Sequence, residues 1–222
     1  MYQLKIYIRS HEGLMKFLAF VYRLLGFNSI KGKKGLDLNW SGVFCKKVKI
    51  ANHGKNNQIM IGKGCRFQNC EINIYGNNNH ILIQNDCVGH GLDLWCGEGS
   101  CIKIGEHTHF AGSIHLAATE EREISIGERC LFASEIVVRT GDSHSILDLN
   151  GKRINQAKDV VIGNHVWTGQ QVTILKGTII ADDCILGACS LLTGKNYPTN
   201  CVIAGNPAKV VKTEVTWNPG LL

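Results

Sequence analysis

The sequence predicts an all-β solenoid, in which short strands joined by tight corners wind around one axis. Two observations point to it: a six-residue repeat in the last third of the chain, and a coarser repeat before it. A helix of period 3.6 cannot hold a six-residue register, whereas three short strands per coil can. The composition agrees, since 25 glycines and three prolines in 222 residues supply corners without the triplet period of collagen.

The six-residue repeat begins at Ile162, and the first residue of most steps is branched and apolar. The steps begin at Ile162, Thr168, Ile174, Ile180, Leu186, Leu192, Pro198, Ala204 and Val210. The fifth residue of most steps is small or β-branched, as a crowded corner requires. We therefore expect each first residue to point inward and the register to hold for eight steps without a slip.

The coarser repeat begins at residues 61, 83, 104 and 126, each time with an isoleucine. Three six-residue faces account for 18 residues of each coil, so a small bulge is expected at one corner. Runs rich in Gly and Asn, such as Gly54 to Asn57, supply that corner because both residues tolerate positive φ. The pattern lapses over residues 139–159, which predicts a polar loop that leaves the solenoid and carries function.

The chain therefore divides into an N-terminal segment (1–44), the solenoid (45–210, with its excursion loop) and a short tail (211–222). Residues 12–27 are strongly apolar and predict an amphipathic helix that is too short to span a membrane. We expect this helix to pack on the first coil or on a partner subunit. The alternative is peripheral membrane contact through residues 12–34, with Lys31, Lys33 and Lys34 facing anionic lipid.

The net charge limits the kind of ligand, and the cysteine content indicates the cellular compartment. The net charge of +6 suits an anionic ligand, but the basic residues are too scattered for a nucleic-acid surface. The ten cysteines include no C-x-x-C pair, and no signal peptide is evident. We therefore expect a reduced, cytoplasmic protein, at the inner face of the membrane if the helix contacts lipid.

Three segments of the last third resemble the closing coils of the hexapeptide-repeat acyltransferases. They are Val161-Ile-Gly-Asn-His-Val-Trp167-Thr-Gly169, Val172-Thr-Ile-Leu-Lys-Gly-Thr-Ile179 and Ala204-Gly-Asn-Pro-Ala-Lys-Val210. The stretch Arg139-Thr-Gly-Asp-Ser-His144-Ser-Ile is similar to the active-site loop of the branch that acetylates sugar hydroxyls. The resemblance implies a left-handed parallel β-helix, a homotrimer, and acetyl-CoA bound in a groove between subunits. Thr168, where the family has Ile, and the displaced Lys195 depart from the pattern.

Acetyl transfer to a hydroxyl needs a base, because a sugar hydroxyl is a poor nucleophile at neutral pH. His144 lies in the excursion loop and matches the catalytic position of the family, so we expect it to be the base. A base histidine is usually oriented by a second group. Asp142 is the candidate, although it could equally cap the turn beside Gly141.

The predicted donor site comprises one aromatic, three small and two basic residues. They are Trp167, Gly169, Gly187, Ala188, Lys195 and Lys209. Trp167 is expected to project outward and lie along the pantetheine arm, whose amides would meet the amides of the small residues. The lysines are expected to meet the phosphates, and the family resemblance places Lys209 at the nucleotide end of CoA.

Together these residues predict an acetyl-CoA-dependent O-acetyltransferase that acts on a sugar or polysaccharide hydroxyl by direct transfer, without a metal. One alternative is an N-acetyltransferase for an amino sugar or an antibiotic. Another is a zinc enzyme of the γ-carbonic anhydrase type, using His107, His109 and His115. A third is a solenoid without catalysis, although the chain lacks the Thr-x-Thr arrays of ice-binding solenoids.

Overall fold

The computed structural model describes residues 11–220, which form a parallel β-solenoid preceded by one helix, as the repeats predict. The first ten residues of the N-terminal segment and the last two of the tail lie outside the described residues. Each coil contributes one strand to each of three faces, here called A, B and C. About eight coils stack in register.

The strands of each face pair in parallel along the solenoid axis. Face A contains β1 (Ser29–Lys31), β4 (Lys49–Asn52), β7 (Glu71–Ile74), β10 (Leu92–Cys96), the second halves of β12 (His109–Ala118) and β14 (Leu131–Arg139), β17 (Thr173–Leu175) and β20 (Leu191–Thr193). Face B contains β2 (Leu36–Asn39), β5 (Asn57–Ile61), β8 (His80–Ile83), β11 (Cys101–Ile104), β13 (Glu123–Ile126), β15 (Val160–Ile162), β18 (Ile179–Ile180) and β21 (Asn196–Tyr197). Face C contains β3 (Phe44–Lys46), β6 (Arg66–Gln68), β9 (Val88–His90), the first halves of β12 and β14, β16 (Trp167–Thr168), β19 (Ile185–Leu186) and β22 (Cys201–Gly205), with β23 (Ala208–Thr213) antiparallel at its end.

The core is a tube of inward side chains that repeat from coil to coil. One buried column on face A runs through Ile50, Ile72, Leu94, Leu116, Val138, Ile174 and Leu192. Alternate residues of each strand point inward because a strand places successive side chains on opposite faces. Burial of each branched side chain contributes about 1.5–3 kcal/mol, so the stacking of coils stabilises the whole tube.

The six-residue register holds only as far as Leu192, so the expectation of eight unbroken steps is wrong. Ile180 pairs with Tyr197, and Leu186 pairs with Ile203, so each partner lies 17 residues on. The corner at Gly194 is one residue shorter than the corner below it. As a result Tyr197 and Ile203, rather than the residues that follow them, point inward.

Val210 does not begin a further coil, contrary to the repeat. The chain reverses after Gly205, and β23 pairs antiparallel with β22 as far as Thr213. The solenoid also begins before residue 45, because β1 and β2 already pair with β4 and β5. Both ends thus differ from the boundaries read off the sequence. At the N-terminal end the Gly- and Lys-rich run 31–35 interrupts the apolar pattern, and at the C-terminal end Val210 fits both a further coil and a hairpin strand.

The helix α1 (Glu12–Leu24) packs on strand β3 at the start of the solenoid. Met15 and Ala19 are buried beneath it, and Arg23 donates hydrogen bonds of 2.8 Å to the carbonyl oxygens of Trp40 and Val43. The helix therefore packs on the first coil, one of the two placements expected. Within residues 11–220, no helix has the length and apolar character needed to cross a bilayer.

The excursion loop leaves the solenoid after Arg139 and returns at Val160, at the corner between faces A and B. The smaller bulges of the earlier coils lie at this same corner. Inside the loop, Leu147 and Arg153 form an isolated antiparallel bridge. The Asp148 carboxylate accepts two backbone N–H bonds of 2.9 Å in the turn between them. The loop is thus an ordered hairpin.

Candidate functional site

The predicted site residues fall into two groups on different parts of the solenoid. At the corner between faces A and B lie His144, Asp142 and Lys195. On face C lie Trp167, Gly169, Gly187, Ala188 and Lys209. Face B separates the two groups, so the structure does not bring them together within one chain. We call residues 139–159 with Lys176 and Lys195 the loop corner.

The His144 side chain is exposed at the edge of the loop. Among residues 11–220, no side chain is hydrogen-bonded to its ring. Its position is fixed instead through the backbone, because the carbonyl oxygen of His144 accepts a 2.8 Å bond from Asn155 Nδ2. The imidazole is therefore presented to solvent by a loop whose main chain is held in place.

Asn155 is the residue around which the loop is organised, and it is nearly fully buried. Its Nδ2 also donates to Asp142 Oδ2 at 2.8 Å. Its Oδ1 accepts from the Ile146 backbone N–H at 2.8 Å and from Arg153 Nε at 3.2 Å. With the His144 carbonyl, these four bonds use the full capacity of a side-chain amide. No pattern in the sequence distinguishes this Asn from the other polar residues of the loop.

Asp142 lies at the base of the loop and contacts Lys176 and Asn155 rather than the His144 ring. Its carboxylate accepts a hydrogen bond from Lys176 Nζ, which also donates to the Asn155 carbonyl at 3.0 Å. The Lys176 hydrogen bond, and then that of Asn155, lower the pKa of the Asp142 carboxyl. In a single chain Asp142 therefore positions the main chain of the loop.

An ion pair between Arg153 of the loop and Glu120 of the coil below also holds the loop in place. Arg153 donates two hydrogen bonds of 2.7 Å to the two carboxylate oxygens of Glu120, in a bidentate arrangement. Arg153 lowers the pKa of the Glu120 carboxyl, chiefly through this hydrogen bond. Bidentate Arg–carboxylate pairs add geometric specificity as well as energy. The loop thus keeps a defined position over the corner.

Trp167 projects outward from β16, as expected, with 41% of its surface exposed. The indole of Trp217, in the tail, lies 6.0 Å from it and stacks on the His165 ring at 4.4 Å. Trp217 Nε1 donates a 2.7 Å bond to the His165 carbonyl, and His165 Nδ1 lies 2.8 Å from Asp183 Oδ1. The tail therefore places a second aromatic ring, that of Trp217, beside Trp167. The sequence did not predict this contact.

A stripe of small residues runs along face C beside Trp167, through Gly169, Gly187 and Ala204 of successive coils. A Cβ on Gly187 would lie 2.9 Å from that of Ala204, and one on Gly169 would lie 2.8 Å from the Ala188 nitrogen. The N–H groups of Gly169 and Gly187 each donate a 2.8 Å bond to the coil above. These two N–H groups are therefore engaged in the stacking of coils, and contact of this stretch with the pantetheine amides stays a prediction.

The two lysines of the predicted donor site lie far apart in the fold. Lys209 follows the reversal of the chain and pairs with Ala204, at the top of the small-residue stripe. Lys195 lies at the corner between faces A and B, in the coil above Lys176. Both side chains are exposed. Only Lys209 therefore lies on the same face as Trp167.

The histidines considered for zinc do not form one group. His115 Nδ1 lies 2.7 Å from Asp93 Oδ2, in the neighbouring coil. Burial, and then the charges of Arg66 and His107, lower the pKa of His109. In the part of the chain that the structure describes, no group of three His, Cys, Asp or Glu side chains is placed to hold a metal ion.

The thiols are mostly packed into the core, where several occupy corner positions. Burial raises the pKa of Cys130 to about 12 and that of Cys96 to about 12. A thiol with so high a pKa stays protonated at neutral pH and is a poor nucleophile. Cys189 is exposed, and it lies beside the small-residue stripe rather than in the loop corner.

The fold and these two groups of residues define a hexapeptide-repeat transferase. The family model described as bacterial transferase hexapeptide (six repeats) matches residues 159–194. The polysialic acid O-acetyltransferase of Neisseria meningitidis is 39% identical over 165 residues, which cover 74% of this chain and 76% of that protein. The chain therefore belongs to the hexapeptide-repeat transferases, in the branch of sugar O-acetyltransferases, and is an acetyltransferase.

Other relatives and solved structures agree with this placement. A putative lipopolysaccharide biosynthesis O-acetyl transferase of Escherichia coli K12 is 30% identical, over 68% of this chain and 80% of that protein. The crystal structure of the polysialic acid O-acetyltransferase OatWY matches with a TM-score of 0.81 and 34% identity, over 88% of this chain and 93% of that one. The polySia-specific acetyltransferase NeuO matches with a TM-score of 0.76 and 30% identity, over 87% and 85%. These matches confirm the left-handed β-helix.

Proposed function

We propose that this acetyltransferase transfers the acetyl group of acetyl-CoA to a hydroxyl group of an acidic polysaccharide. The observation that carries the proposal is the likeness to polysialic acid O-acetyltransferases, which extends over three quarters of the chain in sequence and further in fold. The net charge of +6 suits a polyanionic acceptor.

In this proposal His144 is the general base. Its imidazole takes the proton of the acceptor hydroxyl as the oxygen attacks the thioester carbonyl of acetyl-CoA. The tetrahedral intermediate then collapses, the C–S bond breaks, and the imidazolium returns the proton to the leaving thiolate. The exposed ring and the held main chain of His144 support this role, because a base must reach a bulky acceptor while keeping its position.

The donor is proposed to lie along face C. Trp167 supplies a flat apolar surface for the pantetheine arm, and the lack of large side chains along the small-residue stripe lets the arm approach the backbone closely. Lys209, at the top of the stripe, is placed to meet the phosphates of the nucleotide. Lys195 is proposed to reach the same phosphates from the corner of a neighbouring copy.

A complete site in this arrangement needs two copies of the chain, and we propose the homotrimer of the family. Face B separates His144 from Trp167, so one copy must supply the loop corner and the next copy face C. The loop carries exposed apolar side chains that a neighbouring copy would cover. They are Ile146, Leu147, Leu149 and Ile154.

The test is CoA release from acetyl-CoA, measured with and without polysialic acid, for the wild type, His144→Ala and the control His80→Ala. His80 is an exposed histidine at the start of β8, three coils below the point where the loop rejoins the solenoid. We expect polymer-dependent turnover that falls about 10²–10⁴-fold in His144→Ala alone. Turnover that survives this change, or that requires an amino sugar, would overturn the assignment of the base and move the acceptor to an amine.

A further inference from the structure

The outward face of helix α1 is entirely apolar, although it is exposed. Met15 and Ala19 mark the buried face, and Phe17, Phe20 and Leu24 lie on the opposite side at i, i+3 and i+7 spacing. Phe17 is 62% exposed and Leu24 is 68% exposed. A surface helix normally presents polar residues on its outer face. This helix instead has a second apolar face, which the first coil does not cover.

The apolar surface continues past the end of the helix. Leu25 and Phe27 are 73% and 83% exposed. The helix itself is firmly attached, since the Arg23 guanidinium lies 5.2 Å from the centre of the Trp40 ring as well as bonding to two carbonyl oxygens. The outward face is thus held in one orientation by a rigid support.

The surroundings of this face are basic, apart from Glu12 at the start of the helix, which pairs with Lys16 and Lys63. Between Gly13 and Ile50 the only acidic residue is Asp37. The basic residues of the same stretch are Lys16, Arg23, Lys31, Lys33, Lys34, Lys46, Lys47 and Lys49. Lys33 lines an open recess together with Phe20 and Leu24. Lysine side chains and apolar side chains therefore meet on one surface.

Most of these lysines have no acidic partner within residues 11–220. Among the described residues, Lys31, Lys33, Lys34, Lys46 and Lys47 form no ion pair. Asp37 is occupied, since its Oδ2 accepts a 2.9 Å bond from Gln58. A partner for this surface must offer both an apolar interior and negative charge. A bilayer that contains anionic lipid offers both, with about 1 kcal/mol of attraction for each nearby lysine.

We infer that the outward face of α1, with the flanking lysines, is a docking surface for an anionic bilayer. A second copy of the chain fits this surface less well, because its own helix region carries the same positive charge. The loop corner, with its exposed apolar residues, lies about four coils or roughly 20 Å up the axis, so the two surfaces are separate. The inference is independent of the proposed acceptor and donor.

The test is flotation of the full chain with large unilamellar vesicles. One set of vesicles contains phosphatidylcholine alone, and the other also contains about 30% phosphatidylglycerol, which gives a strong negative surface potential. We expect binding to the anionic vesicles only, weakening as salt rises. The triple variant Lys31→Ala, Lys33→Ala, Lys34→Ala is expected to bind about 100-fold more weakly, from about fivefold for each charge. A matched control replaces Lys152, Lys195 and Lys212 by Ala and should bind like the wild type.

The apolar face is tested by Phe17→Ser with Phe20→Ser, which should weaken binding to anionic vesicles at least about tenfold. Both side chains are exposed, so the melting temperature should be unchanged. Val211→Ser, in β23, is the control, because its side chain is exposed to the same extent as that of Phe17, 62%. Equal binding of all variants, or no binding by the wild type at low salt, would overturn the inference. A lower mass in sedimentation for the Phe variant, without vesicle binding, would assign the face to a second copy.

Discussion

Asn155 shows how a single buried amide sets the position of a loop that carries the proposed base. Its amide bonds to the backbone of His144 and Ile146 and to the side chains of Asp142 and Arg153, which no periodic pattern connects. None of its own polar atoms is left unpaired. A buried polar group that loses its hydrogen-bond partner costs about 1–3 kcal/mol of stability. Removal of one member of this network therefore destabilises the others.

Asn155→Ala is expected to lower kcat about 10- to 100-fold, because displacement of a catalytic group by about 1 Å costs rate of this order. The KM for acetyl-CoA should change little, since Asn155 lies away from face C. Steady-state kinetics measure both constants. The control is Asn150→Ala, in the exposed turn of the same loop. An unchanged kcat would show that the main chain of His144 does not depend on this amide.

The ordering of the loop is expected to weaken at acid pH. Lys176 and Asn155 lower the pKa of Asp142, so the carboxylate stabilises the loop above its unfolded pKa of about 4. That contribution is lost as pH falls through the lower pKa of the folded state. Hydrogen exchange over residues 140–157, corrected for intrinsic rates, should show protection that declines below about pH 4.

Lys176→Met should make this decline shallower and lower the protection at neutral pH, because it removes the larger cause of the shift. Lys152→Met, in the same loop, is the control and should behave like the wild type. Identical pH profiles for Lys176→Met and the wild type would contradict the role given to the Asp142–Lys176 contact.

At the scale of elements, each coil of the solenoid needs inward side chains that fit the narrow interior at its strands and corners. Thr168 lies on β16 and Thr178 at the corner before β18, and both are fully buried. Thr178 Oγ1 donates to the Leu175 carbonyl at 2.6 Å and accepts from the Gly194 N–H at 3.0 Å. Within residues 11–220, the Thr168 hydroxyl has no hydrogen-bond partner. The two residues therefore form a natural comparison.

Thr168→Val is expected to raise the free energy of unfolding by about 1 kcal/mol, because it removes an unpaired buried hydroxyl and keeps the shape of the side chain. Thr178→Val should lower it by about 1–3 kcal/mol, because it leaves the Gly194 N–H without an acceptor. Denaturant unfolding measures both. If Thr168→Val destabilises as much as Thr178→Val does, the Thr168 hydroxyl has a partner that this structure lacks.

For the whole molecule, the distribution of exposed apolar residues predicts how copies associate. The loop corner exposes Leu149 completely and Ile146 by 55%. Isolated exposed apolar residues are common on monomers, but a cluster of them on a hairpin that leaves the solenoid indicates a contact surface. If the trimer is built through this loop, its apolar side chains are covered by the neighbouring copy.

Leu149→Asp combined with Ile146→Asp is therefore expected to convert the proposed trimer into monomers, because each charge would be buried without a partner. Analytical ultracentrifugation gives the mass directly. Turnover should fall with the mass, since His144 and Trp167 would no longer meet. Leu82→Asp, at an exposed apolar position of β8, is the control. A trimer that survives the loop variant would place the interface elsewhere.

Much of the fold was predictable because a solenoid repeats its burial pattern. The inward positions from Ile162 to Leu192, the bulged corner and the excursion loop follow from periodicity and from Gly and Asn content. The one-residue slip before Tyr197 was not predictable, because a shortened corner leaves apolar residues on both candidate registers. The reversal into β23 was likewise hidden, since Val210 fits both a further coil and a hairpin strand.

By itself the sequence determined the solenoid and the loop, and its resemblance to the hexapeptide-repeat family implied the left hand and the candidate residues His144 and Trp167. Only the tertiary structure decided which polar groups meet. Asn155 reaches Asp142 across 13 residues, and Trp217 reaches the His165 carbonyl across 52. Periodicity reports burial, which recurs from coil to coil. Contacts of irregular segments depend instead on the single chain path that satisfies their hydrogen bonds, and no repeat encodes that path.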